Sequence, residues 1–251
     1  MKLAVAGKGG IGKTTLVAFL AREAAARGYR VLVVDADSDP NLATTLGIAE
    51  PITPLADDEE LIAERAGTGG FIRLNPTVDD IPSRYVVERG GIRLLVLGGI
   101  RGAGAGCACP ANTLLKTLLA HLLVAERDIV LLDMEAGIEH LGRGTVRSVD
   151  GLVLLVESDR KALETADRTL QLARDLGIRR IVAVANRVHD DDDREAIRSG
   201  LPREVTMIGS IPYLDAIRRA ARHGGLPDRL PGAPVAELFT RLERCFGARA
   251  D

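Results

Sequence analysis

The chain of 251 residues has no tryptophan and only seven aromatic residues, and its 33 basic residues are balanced by 35 acidic ones. Proteins dedicated to nucleic acid need a cationic surface, and many also stack bases on aromatic rings, so the composition disfavours that class. No stretch approaches the roughly 20 consecutive apolar residues that a membrane-spanning helix needs. The sequence therefore predicts a protein with neither nucleic acid nor membrane as its partner.

Cysteine is also scarce, with residues at positions 107, 109 and 245 only. Three cysteines cannot all pair within one chain, and secreted disulfide scaffolds are much richer in them, so we expect reduced thiols and a cytoplasmic location. The first ten residues, MKLAVAGKGG, turn to glycines where a signal peptide would continue its apolar run. We therefore expect the mature protein to begin at or beside Met1.

The chain does contain a regular alternation of short runs rich in Val, Leu and Ile with longer segments of helical periodicity. This alternation predicts an α/β fold, with a mostly parallel central sheet flanked by helices on both faces. Strands are predicted at 3–6, 31–35, 92–97, 129–133, 152–157, 181–186 and 205–211. Helices are predicted at 13–27, 112–126, 161–176, 213–223 and 235–246.

No repeat and no flexible linker divides the chain, so residues 1–251 are predicted to form a single domain. The segment at about 50–91 interrupts the alternation with an acidic patch at 57–60 and prolines at 76 and 82. We interpret it as an insertion that decorates the sheet rather than as a layer of the core.

Residues 7–15 read GKGGIGKTT, which matches the pattern G-x-x-x-x-G-K-[ST] between a predicted strand and a predicted helix. Glycines let successive backbone N–H groups point at phosphates beside the positive end of the helix. We therefore expect a loop that binds ATP and ADP, with Lys13 reaching the β- and γ-phosphates and the Thr14 hydroxyl on Mg²⁺. The other nucleotide contacts predicted in the loop are Gly9, Gly10, Ile11, Gly12 and Thr15.

Carboxylates end two of the predicted strands. Asp35, Asp37 and Asp39 lie where the strand at 31–35 ends, and Asp133 ends the strand at 129–133. Ligands of open α/β sheets bind at this carboxyl edge. Asp133 is therefore predicted to be the Walker B carboxylate, which faces the hydration shell of Mg²⁺. Asp39 has a second interpretation, as the N-cap of a short helix that follows it.

Cys107 and Cys109 form a C-x-C pair just before a predicted helix. Two thiolates seldom complete a protein metal site, and a twofold axis would bring an identical pair from a second copy of the chain. Four thiolates suit Zn²⁺ in a tetrahedron and Ni²⁺ in flattened geometries, and the sequence does not choose between these metals. The alternative is two small buried cysteines with no metal. Cys245 is predicted to be a packing residue.

A second lysine, Lys8, follows the first glycine of the loop, and the sequence KGGIGKT resembles the deviant Walker A loop of the ATPase class that includes MinD, ParA and the nitrogenase iron protein. The resemblance implies that Lys8 reaches the partner's nucleotide across a dimer interface, so that hydrolysis requires two subunits. It also implies that Asp37 is the switch I carboxylate that orients the attacking water, and that Asp35 lies near the water shell of Mg²⁺. That class usually has proline directly after the second aspartate, where Ser38 stands here.

The same resemblance extends to the switch II loop and to the residues that contact the adenine base of the nucleotide. It implies that Gly137, four residues after Asp133, belongs to the loop that senses the γ-phosphate. It implies that Asn186 reads the adenine edge with its amide. The backbone near Pro212 and Tyr213 would then flank the adenine.

Three stretches together resemble the CooC-type maturation factors of carbon monoxide dehydrogenase, which are ATP-dependent nickel-insertion proteins. They are KGGIGKTT at 8–15, C-x-C-P-x-N at 107–112 and DMEAGIEHLGRGT at 133–145. The family implies a homodimer, formed on ATP or metal binding, that holds Ni²⁺ or Zn²⁺ through both C-x-C pairs. It also implies delivery of nickel to carbon monoxide dehydrogenase or to a related nickel enzyme such as acetyl-CoA synthase.

Two alternatives come from other classes of the same fold. A partitioning or positioning ATPase would need a basic surface or an amphipathic anchor, and the helix at 235–246 is interpreted as packed in the core. An iron–sulfur carrier ATPase would also share cysteines across a dimer, and visible absorbance after anaerobic purification would favour it.

Overall fold

The computed structural model describes residues 1–68, 72–98, 110–125, 129–135, 138, 149–227, 230 and 232–247. The strands in this part of the chain are β1 Lys2–Ala6, β2 Val31–Ala36, β3 Val87–Arg89, β4 Ile92–Val96, β5 Ile129–Met134, β6 Gly151–Val156, β7 Ile181–Val188 and β8 Thr206–Pro212. They form one sheet in the order β3-β4-β2-β5-β1-β6-β7-β8. Within that sheet, β3 and β4 are antiparallel and the other neighbouring strands are parallel.

Helices cover both faces of the sheet. They are α1 Lys13–Ala26, α2 Leu42–Leu46, α3 Glu59–Ala66, α4 Ile81–Tyr85, α5 Pro110–Ala125, α6 Arg160–Leu176, α7 Asp191–Gly200, α8 Asp215–Ala221 and α9 Pro234–Phe246, with a 3-10 turn at Leu55–Asp57. Successive strand residues point to opposite faces. Leu3 and Val5 accordingly pack in the cluster beneath α1 and α9, whereas Ala4 and Ala6 pack in the cluster beneath α5. A smaller cluster lies beneath α6 and α7.

The predicted fold class is therefore confirmed: the described chain is one α/β domain with a mostly parallel sheet between helices. Strand β3 was not predicted, because three residues are too few for a periodic pattern. The helix predicted at 213–223 begins later, at Asp215, because the N–H of Tyr213 donates to Val188 O at 3.0 Å and continues the pairing of β8. Among the described helices, none is long and apolar enough to cross a membrane.

The described residues of the segment at 50–91 form the 3-10 turn, α3, α4 and β3, and the turn and α3 pack against α5. Four of its apolar side chains are buried in the same cluster as those of α5, namely Leu55, Leu61, Val78 and Ile81. Asp58 caps α3 by accepting the N–H of Leu61 at 2.9 Å, and it also accepts the hydroxyl of Tyr85 at 2.6 Å. The segment thus contributes buried residues to one face of the core, which its loop-like composition did not indicate. Its status as an insertion stays an interpretation.

Candidate nucleotide site

The loop between β1 and α1 is shaped by two glycines that no other residue could replace without strain. Gly7 has φ +149°, and a Cβ there would lie 2.5 Å from the carbonyl oxygen of Leu155. Gly12, at the N-cap of α1, has φ +102°, and a Cβ there would lie 2.9 Å from Nδ2 of Asn186. Glycine is therefore required at both positions for two reasons: the backbone is left-handed there, and neighbouring atoms lie too close for a Cβ. The loop leads directly into the N-terminus of α1, as a phosphate site requires.

Lys13 begins α1 and is buried, with 7% of its surface exposed. Its Nζ donates to the carbonyl oxygen of Lys8 at 3.4 Å, so the side chain folds back over the loop. Burial lowers the pKa of Lys13, and the carboxylates of Asp133, Asp37 and Glu135 oppose this shift. A buried ammonium is therefore held between the loop and the carboxylates at the ends of β2 and β5.

Asp35 and Asp133 are register partners on the adjacent parallel strands β2 and β5, and both are fully buried. Asp35 accepts the backbone N–H of Asp37 at 3.2 Å and that of Leu42 at 2.9 Å. Neither oxygen of Asp133 has a hydrogen-bond partner of ordinary geometry among the described residues. Burial raises the pKa of Asp35 to about 6. Burial, and next the charge of Asp35, raise the pKa of Asp133 to about 7.

These residues fit a magnesium ion bound with a nucleotide. A buried carboxylate without a partner is unfavourable unless it is protonated or faces a cation. The Thr14 hydroxyl and the Lys13 ammonium both act on Asp133 and oppose the rise in its pKa, so all three groups lie together. The described residues contain no group of three or more His, Cys, Asp or Glu side chains that would bind a metal alone. Mg²⁺ is usually bound through one or two carboxylates together with waters and phosphate oxygens, and the buried carboxylates of Asp35 and Asp133 fit that ligand set.

The loop after β2 is built from carboxylates that cap backbone N–H groups two residues further on. Asp35 accepts the N–H of Asp37, and Asp37 accepts the N–H of Asp39 at 3.0 Å. The alternative interpretation of Asp39 as a helix cap is wrong, because α2 begins at Leu42 and its N-cap is Asn41. The side chain that reaches the first N–H of α2 is Asp35, from inside the sheet.

Lys8 pairs with a residue that sequence reasoning missed. Its Nζ lies 3.1 Å from each carboxylate oxygen of Asp159, and about a third of the lysine side chain is exposed. Asp159 also caps α6 by accepting the N–H of Ala162 at 3.0 Å. An aspartate directly before a helix is a recognisable N-cap signal. Its pairing with Lys8 had no sequence signal, since it depends on β1 and β6 being neighbours.

A cavity of about 580 Å³ adjoins the loop at the carboxyl ends of β7 and β8. Asn186, Pro212 and Tyr213 line it together with Gly12 and Thr15, so the structure brings together the residues predicted to contact the base. Leu16, Phe19 and Ile217 also line the cavity and make part of its wall apolar. The amide of Asn186 donates to Ile11 O at 2.6 Å, which ties the base end of the site to the phosphate loop.

Arg187 makes a further contact with the phosphate loop, which the sequence did not indicate. It adopts φ +53° within β7, where the pairing with β8 is irregular. Its guanidinium donates to Gly10 O at 2.8 Å and lies 2.9 Å from a carboxylate oxygen of Glu157, at the end of β6. Left-handed backbone at a non-glycine residue persists only where surrounding contacts hold it.

Three residues that the sequence predicts for the site, Cys107, Cys109 and Gly137, lie outside the described residues.

The raised pKa values of Asp35 and Asp133 predict a pH dependence of stability in the metal-free and nucleotide-free protein. Between about pH 4 and pH 7 the folded chain holds protons that the unfolded chain has lost, so the free energy of unfolding falls as pH rises. We expect Asp133→Asn to remove most of this slope and to stabilise the protein at pH 7.5 by on the order of 2 kcal/mol. Urea denaturation from pH 5 to pH 8 in the presence of EDTA measures this.

The matched control for this experiment is Asp175→Asn, because Asp175 is exposed on α6. We expect it to leave both the stability and its pH slope unchanged. A wild-type pH slope in Asp133→Asn would contradict the prediction.

A phosphate loop between a parallel strand and a helix, with buried carboxylates on neighbouring strand ends, defines a P-loop nucleotide-binding protein. The chain belongs to the CobQ/CobB/MinD/ParA nucleotide binding domain family, which matches residues 2–227. It is 44% identical over 232 residues to the carbon monoxide dehydrogenase accessory protein CooC of Rhodospirillum rubrum, covering 89% of this chain and 88% of that one. It is 41% identical over 221 residues to an uncharacterized ATP-binding protein of Methanocaldococcus jannaschii, covering 85% of each chain.

Solved structures show the same fold at lower identity. A chain of the MinC:MinD cell division protein complex of Aquifex aeolicus superposes with a TM-score of 0.70 at 22% identity, covering 96% of this chain and 95% of that one. MinD of Pyrococcus horikoshii, solved with Mg-ADP, gives a TM-score of 0.67 at 20% identity over 96% and 93% of the two chains. The predicted resemblance to CooC and the prediction of an ATPase are thereby confirmed.

Proposed function

We propose that the chain is an ATP-hydrolysing metallochaperone that binds nickel at a C-x-C site shared by two copies and delivers it to carbon monoxide dehydrogenase or to a related nickel enzyme such as acetyl-CoA synthase. The observation that carries the proposal is the similarity to the Rhodospirillum rubrum accessory protein over most of both chains. The cytoplasm is the location expected for this activity.

The ATPase part of the proposal assigns a role to each side chain of the site. Lys13 binds the β- and γ-phosphates, and Lys8 reaches the nucleotide of the partner subunit. Asp37 orients the attacking water. Thr14 and Asp133 hold Mg²⁺, which when bound supplies positive charge to the phosphate oxygens. The remaining proposed nucleotide contacts are Gly9, Gly10, Ile11, Gly12, Thr15, Asn186, Pro212 and Tyr213, and Asp35 lies beside the magnesium position.

The nickel part of the proposal places the cargo on Cys107 and Cys109 of both copies. Thiolates are ligands for soft and borderline ions, so Zn²⁺ can occupy the same site. The connection that contains these cysteines follows β4 and precedes α5. β4 is parallel to β2, with Val96 the register partner of Asp35. The connection therefore leaves the sheet at the same edge as the nucleotide residues, which supports coupling between nucleotide state and the metal site.

Dimer formation is the step that the proposal assigns to Lys8. In the single chain Lys8 is held by Asp159, and this exposed ion pair is worth little energetically. A partner's nucleotide phosphate can therefore compete with Asp159 for the lysine. ATP binding in two chains would exchange the internal ion pair for a contact between subunits.

The alternative functions fit the described residues less well. The apolar face of α9 is buried in the core; it comprises Val235, Leu238, Phe239, Leu242 and Phe246. That face is not available as the membrane anchor that a positioning ATPase would use. The similarity to an iron–sulfur cluster carrier protein of Pyrococcus horikoshii spans 80 residues, or 31% of this chain.

Anaerobic equilibrium dialysis against Ni²⁺ tests the proposal, with the protein alone, with Mg·ADP and with a non-hydrolysable ATP analogue. We expect one Ni²⁺ per two chains and an affinity that changes by about tenfold between the ADP and analogue states, because two sites coupled through one dimer bias each other. The dimer fraction is measured in the same samples by light scattering. Equal affinity in all three states would contradict the coupling, and no nickel binding at all would contradict the metallochaperone.

A further inference from the structure

A side-chain hydrogen bond joins the loops that follow β2 and β5. The Ser38 hydroxyl donates to Oε1 of Glu135 at 3.0 Å. The two loops leave the sheet side by side, because Ala36 and Met134 are the last register partners of β2 and β5. Ser38 is exposed and Glu135 is half-buried, so the bond lies at the mouth of the site.

The bond fixes the loop next to Asp37. On the strand side, the backbone N–H of Asp37 is held by the carboxylate of Asp35, and on the loop side Ser38 follows directly. Glu135 acts electrostatically on Lys13, so it faces the same space as the phosphate-binding lysine. A proline at position 38 would have no hydroxyl and could not donate this bond.

We propose that Ser38 and Glu135 are positioning residues that hold Asp37 in register with Lys13 and Asp133 for ATP hydrolysis. The inference rests on the role proposed above for Asp37. An exposed hydrogen bond contributes little to the free energy of folding, so this bond has no large role in stability. Misplacement of a group that orients the attacking water is costly for the reaction, because rate depends steeply on alignment. The pair therefore serves turnover rather than nucleotide binding.

Steady-state ATPase measurements on Ser38→Ala, Glu135→Ala and the double variant test this inference. We expect each single variant to lower kcat by about tenfold while KM for ATP changes less than about twofold, because the phosphate loop and base cavity are untouched. The kcat of the double variant is expected to be no lower than that of either single variant, since the two residues act through one hydrogen bond. Wild-type kcat in both single variants, or additive losses in the double variant, would overturn the pairing.

Conservative variants separate the hydrogen bond from the charge of Glu135. Ser38→Thr keeps a hydroxyl and Glu135→Gln keeps an acceptor oxygen, so we expect both to retain most of the wild-type kcat. If Glu135→Gln lowers kcat as much as Glu135→Ala does, the negative charge of Glu135 is required rather than the hydrogen bond, and the inference fails. Ser199→Ala and Glu195→Ala, both exposed on α7, are the matched controls and are expected to have wild-type kcat.

A further variant distinguishes failure of this inference from failure of the role of Asp37. We expect Asp37→Asn to lose turnover while it still binds an ATP analogue. Wild-type turnover in Asp37→Asn would overturn the role of Asp37 and the inference with it. Loss of turnover there, with normal kcat in Ser38→Ala and Glu135→Ala, would overturn the pairing alone. Thermal melts of the variants at positions 38 and 135 are expected to match the wild type, because the hydrogen bond that they remove lies at the exposed mouth of the site.

Discussion

Replacing Cys107 and Cys109 together with alanine is expected to weaken Ni²⁺ binding by at least about 100-fold while binding of Mg·ATP stays within about twofold. Changes in the outer shell of a metal site already cost about 10- to 100-fold in affinity, and this variant removes the proposed ligands themselves. The residues proposed to bind ATP lie on the loop after β1, in the first turn of α1 and at the ends of β2, β5, β7 and β8, so they are intact. Equilibrium dialysis for nickel and calorimetry for the ATP analogue measure the two affinities.

Cys245→Ala is the control for the cysteine variant. Cys245 lies on α9, is half-buried and packs against the core beneath that helix. We expect its replacement to leave the nickel stoichiometry unchanged and to cost some stability. If the variant at positions 107 and 109 still binds one nickel per two chains, the proposed cargo site is wrong.

The second large effect is expected from Lys8→Ala. A cationic side chain that completes a phosphoryl-transfer site from a partner is typically worth about 10³-fold or more in rate, so kcat should fall to near the background. Binding of the ATP analogue should change by less than about fivefold, because Lys13 remains and Lys8 is paired with Asp159 in the single chain. Lys13→Ala differs, since it removes the buried ammonium of the loop and should abolish nucleotide binding.

Two measurements make the Lys8 prediction specific. Lys161→Ala removes an exposed lysine two residues beyond Asp159 and is expected to have wild-type kcat. Mixing Lys8→Ala chains with Asp37→Asn chains is expected to restore part of the activity, because one site of the mixed dimer then has an intact Asp37 and receives Lys8 from the other chain. Full turnover by Lys8→Ala alone would argue against catalysis across subunits.

Much of the architecture could be predicted from the sequence, because it depends on local patterns. The apolar runs predicted the long parallel strands to within a few residues, and the GKGGIGKTT motif predicted the strand, loop and helix that the structure shows. The predictions failed where the local signal is weak. Strand β3 has only three residues, and the segment at 50–91 has a loop-like composition although several of its apolar side chains pack beneath α5.

The contacts within the site depended on the tertiary structure. Ser38 and Glu135 are 97 residues apart in the chain, Lys8 and Asp159 are 151 apart, and Asn186 and Ile11 are 175 apart. No local pattern predicts such pairs, since each depends on which strands are neighbours in the sheet and on their register.

The sequence by itself determined that the chain is a parallel α/β protein with a phosphate loop and carboxylates at strand ends, because motif and periodicity are properties of neighbouring residues. Only the tertiary structure decided what surrounds those carboxylates. It placed Asp35 and Asp133 side by side and fully buried, which raises the pKa of both. It also gave Lys8 a partner within its own chain. Burial and charge are set by groups distant in sequence, so they follow from the packed sheet and not from the motif.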